Sequence, residues 1–264
     1  MKIGLIGAGR LGICLALLIE QEGYHVIASD VREDYVKDLQ NKKINSTEPQ
    51  VQELLEHSIN LEFTTDNRKV IRESDIIFTL VQTPSLEDGS YDVSAVWKVV
   101  EDIKQEMSSI ANYPKSFVVG CTTNPGDCDQ FKDALPESVD VYYNPEFIAQ
   151  GSIVDDLRHA DMVLLGGEGQ HSGALEMMYY QIQNGFKVAN VHTMSTRAAE
   201  LTKIAVNCYL TTKITYANQV GQVMIRDGME DEVKTVLKAI GGDSRIGTKY
   251  LNYGCLLYTS DAAD

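Results

Sequence analysis

The chain has 264 residues, 44% of them hydrophobic and 23% charged, with 20 Gly, 6 Pro and one Trp. That composition excludes disordered, collagen-like and small disulfide-stapled proteins and calls for a buried core. Lys and Arg total 23 against 38 Asp and Glu, a formal net charge of -15, which repels phosphate backbones and anionic lipid and argues against nucleic acid or membrane as a partner.

An anionic ligand must therefore be held by local devices such as helix N-termini, backbone N–H groups or a few placed cations. The five cysteines, Cys14, Cys121, Cys128, Cys208 and Cys255, are odd in number, lack metal-ligand spacing and follow no secretory signal. They fit reduced thiols in a cytoplasmic protein without a metal site. Apolar stretches are short and broken, below the roughly 18 residues a membrane span needs. At roughly 150 residues per domain, the length suits one large domain or one and a half.

Short apolar, β-branched runs predict strands at Lys2–Ile6, His25–Ser29, Asn60–Thr64, Asp75–Val81, Phe117–Gly120, Val139–Tyr143 and Met162–Leu165. Between them, helical periodicity marks Leu11–Glu22, Glu33–Gln40, Val93–Met107 and Ser172–Gln181. This alternation predicts an α/β fold, a Rossmann-like doubly wound parallel sheet covered on both faces. From Ser195 to Arg226 the pattern changes to small and apolar residues without Pro, with Gly221 as the one glycine. It reads as one long, largely buried helix of some 45 Å at about 1.5 Å per residue, bridging domains or subunits. A shorter helix, Glu230–Ala239, and the turn Gly241-Gly242-Asp243 follow.

Gly7-Ala8-Gly9-Arg10-Leu11-Gly12 directly follows the first strand and opens the first helix, the setting in which glycines bind a dinucleotide. Gly7 permits the tight turn, Gly9 lets backbone approach the pyrophosphate, and Gly12 allows close helix packing. The helix N-terminus then meets the phosphates. Asp30 ends the second strand, where a carboxylate accepts from both ribose hydroxyls and favours NAD; Arg32 is the counter-argument, as a partner for a 2'-phosphate that Asp30 would repel.

Val81-Gln82-Thr83-Pro84, Cys121-Thr122-Thr123-Asn124-Pro125-Gly126 and Asn144-Pro145-Glu146-Phe147-Ile148-Ala149-Gln150-Gly151 leave the ends of other strands. Each alone also serves as a Pro-stiffened turn. In a parallel sheet, however, all of them converge with the glycine loop on one edge. Lys203 and Asn207, spaced i, i+4, share one face of the long helix about 6 Å apart. Lys203 either pairs with a carboxylate structurally or offers positive charge to an oxyanion, and spacing leaves both readings open. Lys213 and Asn218 are vaguer candidates, and no histidine is marked for a role.

In this order, the glycine motif, Thr83-Pro84, Thr122, Asn124-Pro125-Gly126, Asn144-Pro145-Glu146-Phe147, Glu200 to Asn207 and Asp243-Ser244-Arg245-Ile246-Gly247 resemble the UDP-glucose/GDP-mannose dehydrogenase family. Its members oxidise the C6 alcohol of a nucleotide sugar to a carboxylate with two NAD, through a thiohemiacetal and a thioester, in surface-polysaccharide precursor synthesis. The resemblance implies that Gly7, Gly9, Arg10, Leu11, Gly12, Asp30, Thr83, Pro84 and Thr122 hold NAD. It implies that Thr122 positions a catalytic water and that Glu146 does acid/base work, while Lys203 and Asn207 stabilise oxyanions on C6. Glu146, Phe147, Gln150, Lys203, Asn207 and Arg245 would contact the nucleotide sugar, and a homodimer would form through the long helix. Gln82 and Gln150 depart from the family, which usually has proline and often a second glutamate at those positions.

The expected organisation is an NAD-binding Rossmann-like domain over 1–194 and an incomplete central helical region over 195–254. Residues 255–264 resemble the in-frame translation of a library adapter, so the chain is expected to stop short of the family's nucleophilic cysteine, and Cys255 is not that residue. The alternatives are another NAD-dependent dehydrogenase of the 6-phosphogluconate or hydroxyacyl type, or a dinucleotide-binding module without catalysis.

Overall fold

Apolar runs of four or five residues form the strands β1 (Lys2–Ile6), β2 (His25–Ser29), β3 (Leu61–Thr64), β4 (Ile76–Thr79), β5 (Lys115–Val119), β6 (Val139–Tyr143), β7 (Met162–Gly166) and β8 (Asn190–Met194). The computed structural model describes residues 1–109, 113–148, 151–183 and 190–254. Its helices are α1 (Arg10–Gln21), α2 (Glu33–Gln40), α3 (Val51–His57), α4 (Asn67–Glu73), α5 (Ser94–Met107), α6 (Asp127–Ala134), α7 (Ile153–Arg158), α8 (Ser172–Ile182), α9 (Thr196–Arg226) and α10 (Val233–Gly241).

The strands form one sheet in the order β3-β2-β1-β4-β5-β6-β7-β8. From β3 to β6 every pairing is parallel, and the order reverses between β1 and β4, the switch point where doubly wound sheets bind ligands. The sheet is mixed rather than wholly parallel as expected, because β7 is antiparallel to β6, paired through Tyr143 and Gly166, and β8 is parallel to β7. The intervening α7 has six residues and spans about 9 Å.

Alternating side chains of the strands feed two cores. Ile3, Leu5, Ile76 and Phe78 face α1, α3, α7 and α8, whereas Ile6, Ile77, Phe117 and Val119 face α4, α5, α6 and Ala199 at the start of α9. Helix α1 has no polar side: Leu11 through Glu20 are all buried. Burying each of Leu15, Leu17, Leu18 and Ile19 stabilises the fold by about 1.5–3 kcal/mol. The one acid in that run, Glu20, accepts from the backbone N–H groups of Ile59 and Asn60, each at 2.9 Å.

The chain divides inside α9 into two compact units, one ending at Leu201 and one starting at Thr202. The second contains most of α9, a 3-10 turn at Glu230–Glu232 and α10 around a small core of Ala217, Met224, Val233, Leu237 and Leu251. Within it, Gly221 is there for space, since a Cβ would lie 2.0 Å from Cδ2 of Tyr253. The expectation that α9 is largely buried fails: Leu201, Tyr209, Tyr216, Val223 and Ile225 are exposed. A helix with 31 residues is about 45 Å long, and among the described residues the core of the second unit draws on Ala217, Val220 and Met224 of it.

Candidate functional site

Gly7 leaves β1 with φ +99°, a left-handed conformation that strains any L side chain, and a Cβ there would lie 2.4 Å from the Leu80 carbonyl oxygen. Its N–H and that of Ala8 both donate to Ser29 O at 2.9 Å, which folds the turn against the end of β2. Helix α1 starts immediately afterwards, with Gly9 as N-cap, no side-chain cap and no acid in its first turn; Arg10 and Leu11 open it. Gly12 closes the arrangement, because a Cβ would stand 2.0 Å from Gly7 O.

The Ser29 bonds bring Asp30 beside this loop. Its carboxylate is 7% exposed and held by Arg32, whose Nε donates to Oδ1 at 2.9 Å and Nη2 to Oδ2 at 3.0 Å. The Arg32 guanidinium also lies 4.3 Å from the Tyr35 ring centre. Its bond to Asp30 and that carboxylate's charge raise its pKa despite burial. The residues present fit an adenine dinucleotide: an uncapped helix N-terminus, a cradle that admits no Cβ at two positions, and a fixed carboxylate at the end of the neighbouring strand.

The four strand ends are fastened side by side. Leu80 N donates to Ile6 O at 2.8 Å, Gly120 N to Thr79 O at 2.9 Å, and Asn144 N to Val119 O at 2.9 Å. The glycine loop and the segments carrying Thr83, Thr122 and Glu146 thus leave one edge of the sheet. Thr83 is buried and Pro84 exposed, while Thr122 and Phe147 are half-buried. Asn124 links two loops: Oδ1 accepts from Tyr91 N at 2.9 Å and Nδ2 donates to Tyr91 O at 3.0 Å.

Two supporting residues escaped the sequence reading of the site. Glu200, fully buried on the first turns of α9, accepts from Thr123 Oγ1 at 3.0 Å, Gly126 N at 2.6 Å and Cys128 N at 2.9 Å. It fixes the loop that presents Thr122; the available signal was an acid amid the small and apolar residues of the predicted helix. Tyr179 on α8 is buried, and its hydroxyl faces Asn144 Oδ1 and, at 3.1 Å, Glu146 Oε1. No sequence signal singled it out, because Tyr179 reads as one more apolar position of a helix.

Gln150 and Cys255 lie outside the described residues. Lys203 and Asn207 belong to the second unit and are half-buried, on a helix expected to be largely buried. The second unit also holds Arg245, which is exposed and folded onto Asp243 through Nη2–Oδ2 at 2.7 Å and Nε–Oδ1 at 3.0 Å. Burial, reinforced by the charge of Glu48, pushes the Cys14 thiol up to about 12. Burial and the Glu200 carboxylate push Cys128 far above the thiol range, so neither is a nucleophile at neutral pH. Among the described residues no group of His, Cys, Asp and Glu is placed to hold a metal, and no helix is long and apolar enough to cross a membrane.

The family description "UDP-glucose/GDP-mannose dehydrogenase family, NAD binding domain" matches residues 1–183, and the central domain of the same family matches residues 197–257. An uncharacterized protein of Methanocaldococcus jannaschii is 33% identical over 258 residues, 96% of this chain and 28% of that protein. UDP-glucose 6-dehydrogenase of Drosophila melanogaster is 30% identical over 264 residues, 95% of this chain and 55% of that enzyme. A solved UDP-glucose dehydrogenase from Pyrobaculum islandicum matches with a TM-score of 0.85 at 27% identity, covering 95% of this chain and 58% of that one. The chain thus spans little more than half the length of the two UDP-glucose dehydrogenases. Glycine cradle, switch-point sheet and family matches agree: the chain belongs to the UDP-glucose/GDP-mannose dehydrogenase family, and its first part is that family's NAD-binding domain.

Proposed function

We propose that this chain is the cofactor-binding and central-helix part of an NAD-dependent dehydrogenase that oxidises the C6 alcohol of a nucleotide sugar such as UDP-glucose to the uronic acid, in the cytoplasm. The observation that carries the reading is the uncapped start of α1 set between the glycine cradle and the Asp30 carboxylate. When bound, NAD supplies the hydride acceptor. The chain's own residues do the rest. First-turn N–H groups of α1 face the pyrophosphate, and Asp30 accepts from the adenosine ribose, taking the place of its bonds to Arg32.

Thr83, Pro84 and Thr122 would help to hold the cofactor, Thr122 would orient a water, and Glu146 would exchange a proton with the reacting oxygen. Lys203 and Asn207 offer positive charge and an amide to the oxygen on C6, while Phe147, Gln150 and Arg245 contact the nucleotide sugar. Calorimetric titration with NADH tests the reading. Binding is expected with NADH preferred over NADPH, and Asp30→Ala should weaken NADH about ten- to a hundredfold by removing charge-assisted ribose bonds. Absence of heat with NADH would sink the proposal.

The same reading includes a homodimer through α9. Exposed Leu201, Tyr209, Tyr216 and Val223 recur every seven or eight residues and so lie along one face of the helix. Sedimentation velocity should show a dimer that Tyr209→Glu shifts toward monomer; a monomeric unsubstituted chain contradicts it.

A further inference from the structure

The side chain of Asn124 has its polar atoms engaged by two segments at the carboxyl edge of the sheet. Its amide nitrogen donates to Tyr91 O at 3.0 Å and to Asp127 Oδ2 at 2.9 Å, and its Oδ1 accepts from Tyr91 N at 2.9 Å. Turned over, the amide would set its oxygen against two acceptors and its hydrogens against the Tyr91 N–H, so a single orientation fits. Asp127 Oδ2 also accepts from Asn124 N at 2.7 Å, and Asp127 N donates back to Asn124 O at 3.0 Å. Glu200 holds the same turn from α9 through Gly126 N and Cys128 N.

Tyr91 belongs to a hairpin over residues 84–92. Ser85 and Tyr91 face each other in an antiparallel bridge, Leu86 N donates to Ser90 O at 2.8 Å, and Asp92 N donates to Pro84 O at 2.9 Å. Thr83 and Pro84 stand at its base, and Thr122 lies two residues before Asn124. Asn124 therefore ties the Thr83-Pro84 segment leaving β4 to the Thr122 segment leaving β5. In the sheet order those two strands lie on the far side of β1 from β2 and Asp30. A dinucleotide with its adenosine ribose on Asp30 and its pyrophosphate at α1 would extend its nicotinamide half across them.

We propose that Asn124 is a positioning residue for the nicotinamide half of the cofactor. It fixes Thr83-Pro84 and Thr122 relative to each other, so that both meet that half at once, and it leaves the adenosine half to the glycine cradle and Asp30. The inference rests on the function proposed above, since it needs a dinucleotide in the site.

The test is paired calorimetric titration of the 264-residue chain with NADH and with ADP-ribose, which lacks the nicotinamide. Asn124→Leu keeps the side-chain volume and removes the three side-chain bonds. It is expected to weaken NADH about tenfold and to leave ADP-ribose unchanged. Asp127→Ala leaves the Asn124 amide without one of its two acceptors and should show the same selective loss in smaller measure; it decides the matter if Asn124→Leu does not fold. A purely structural role would weaken both ligands together, and that result, or unchanged NADH affinity in both variants, would overturn the proposal. So would an unsubstituted chain that binds NADH no more tightly than ADP-ribose, because the nicotinamide half would then not be held. An unsubstituted chain that binds neither ligand sinks the function itself, whereas binding of both without a selective loss in the variants sinks the assignment of Asn124 alone.

Discussion

Glu200→Ala is expected to destabilise the first unit by about 3–4 kcal/mol, because it strips the β5–α6 corner of the acceptor for three donors. Each unsatisfied buried donor costs about 1–3 kcal/mol, partly offset by no longer burying a charge. Thr123 can turn its hydroxyl elsewhere, but the N–H groups of Gly126 and Cys128 cannot. Glu200→Gln should fall between, since one carbonyl oxygen can still serve Thr123 and Cys128 while the amide hydrogens oppose Gly126 N. Urea denaturation reads the stability. Exchange of the Gly126 and Cys128 amides reads the corner itself, and these should lose protection before the β1 and β4 amides do. An unchanged midpoint with both amides protected would show that Glu200 does not hold the loop.

Gly12→Val is expected to abolish measurable NADH binding. Helix propensity gives the opposite expectation for the smaller change, since Gly→Ala inside a helix gains about 1 kcal/mol. Here the first side-chain atom meets a backbone oxygen at 2.0 Å, and Leu5 Cδ2 lies at 3.1 Å. Overpacking of this kind costs about 1–3 kcal/mol, and relief requires moving the glycine loop that the phosphates would contact. Gly12→Ala should therefore lower the melting temperature by a few degrees and weaken NADH more than tenfold, with Gly12→Val worse on both. If Gly12→Ala raised the melting temperature and kept its affinity, local propensity would outweigh the clash and the cradle would be less rigid than the structure has it.

The features legible in the sequence share a cause: each is local in the chain. A five-residue apolar run bounded by turn residues is a strand wherever it lies, so β1, β2 and β6 have the bounds expected of them. The glycines at 7, 9 and 12 and the acid at 30 are read from spacing because turn, helix start and strand end are contiguous. Helices α3, α4, α6 and α7 were missed because they are short and polar. Helix α4 buries only Val70 and Ile71 and starts on an Asp66 cap that accepts from Arg68 N and Lys69 N. Strand β8 was missed because Asn190-Val191-His192-Thr193-Met194 carries little apolar signal and pairs with β7 alone.

By itself the sequence determined the alternation of strand and helix, the glycine turn that leaves β1, the acid at the end of β2 and the family. Tertiary structure alone decided that β7 runs backwards, that the faces of α9 lie open, and that acids counted toward a net charge of -15 work inside the protein as acceptors for backbone N–H groups. Glu20 does so for Ile59 and Asn60, Glu48 for Gly151 and Ile153, and Glu200 for Gly126 and Cys128. The physical reason is range: a propensity or a turn acts over a few neighbouring residues, whereas a buried carboxylate is stable only where folding brings distant N–H groups to it.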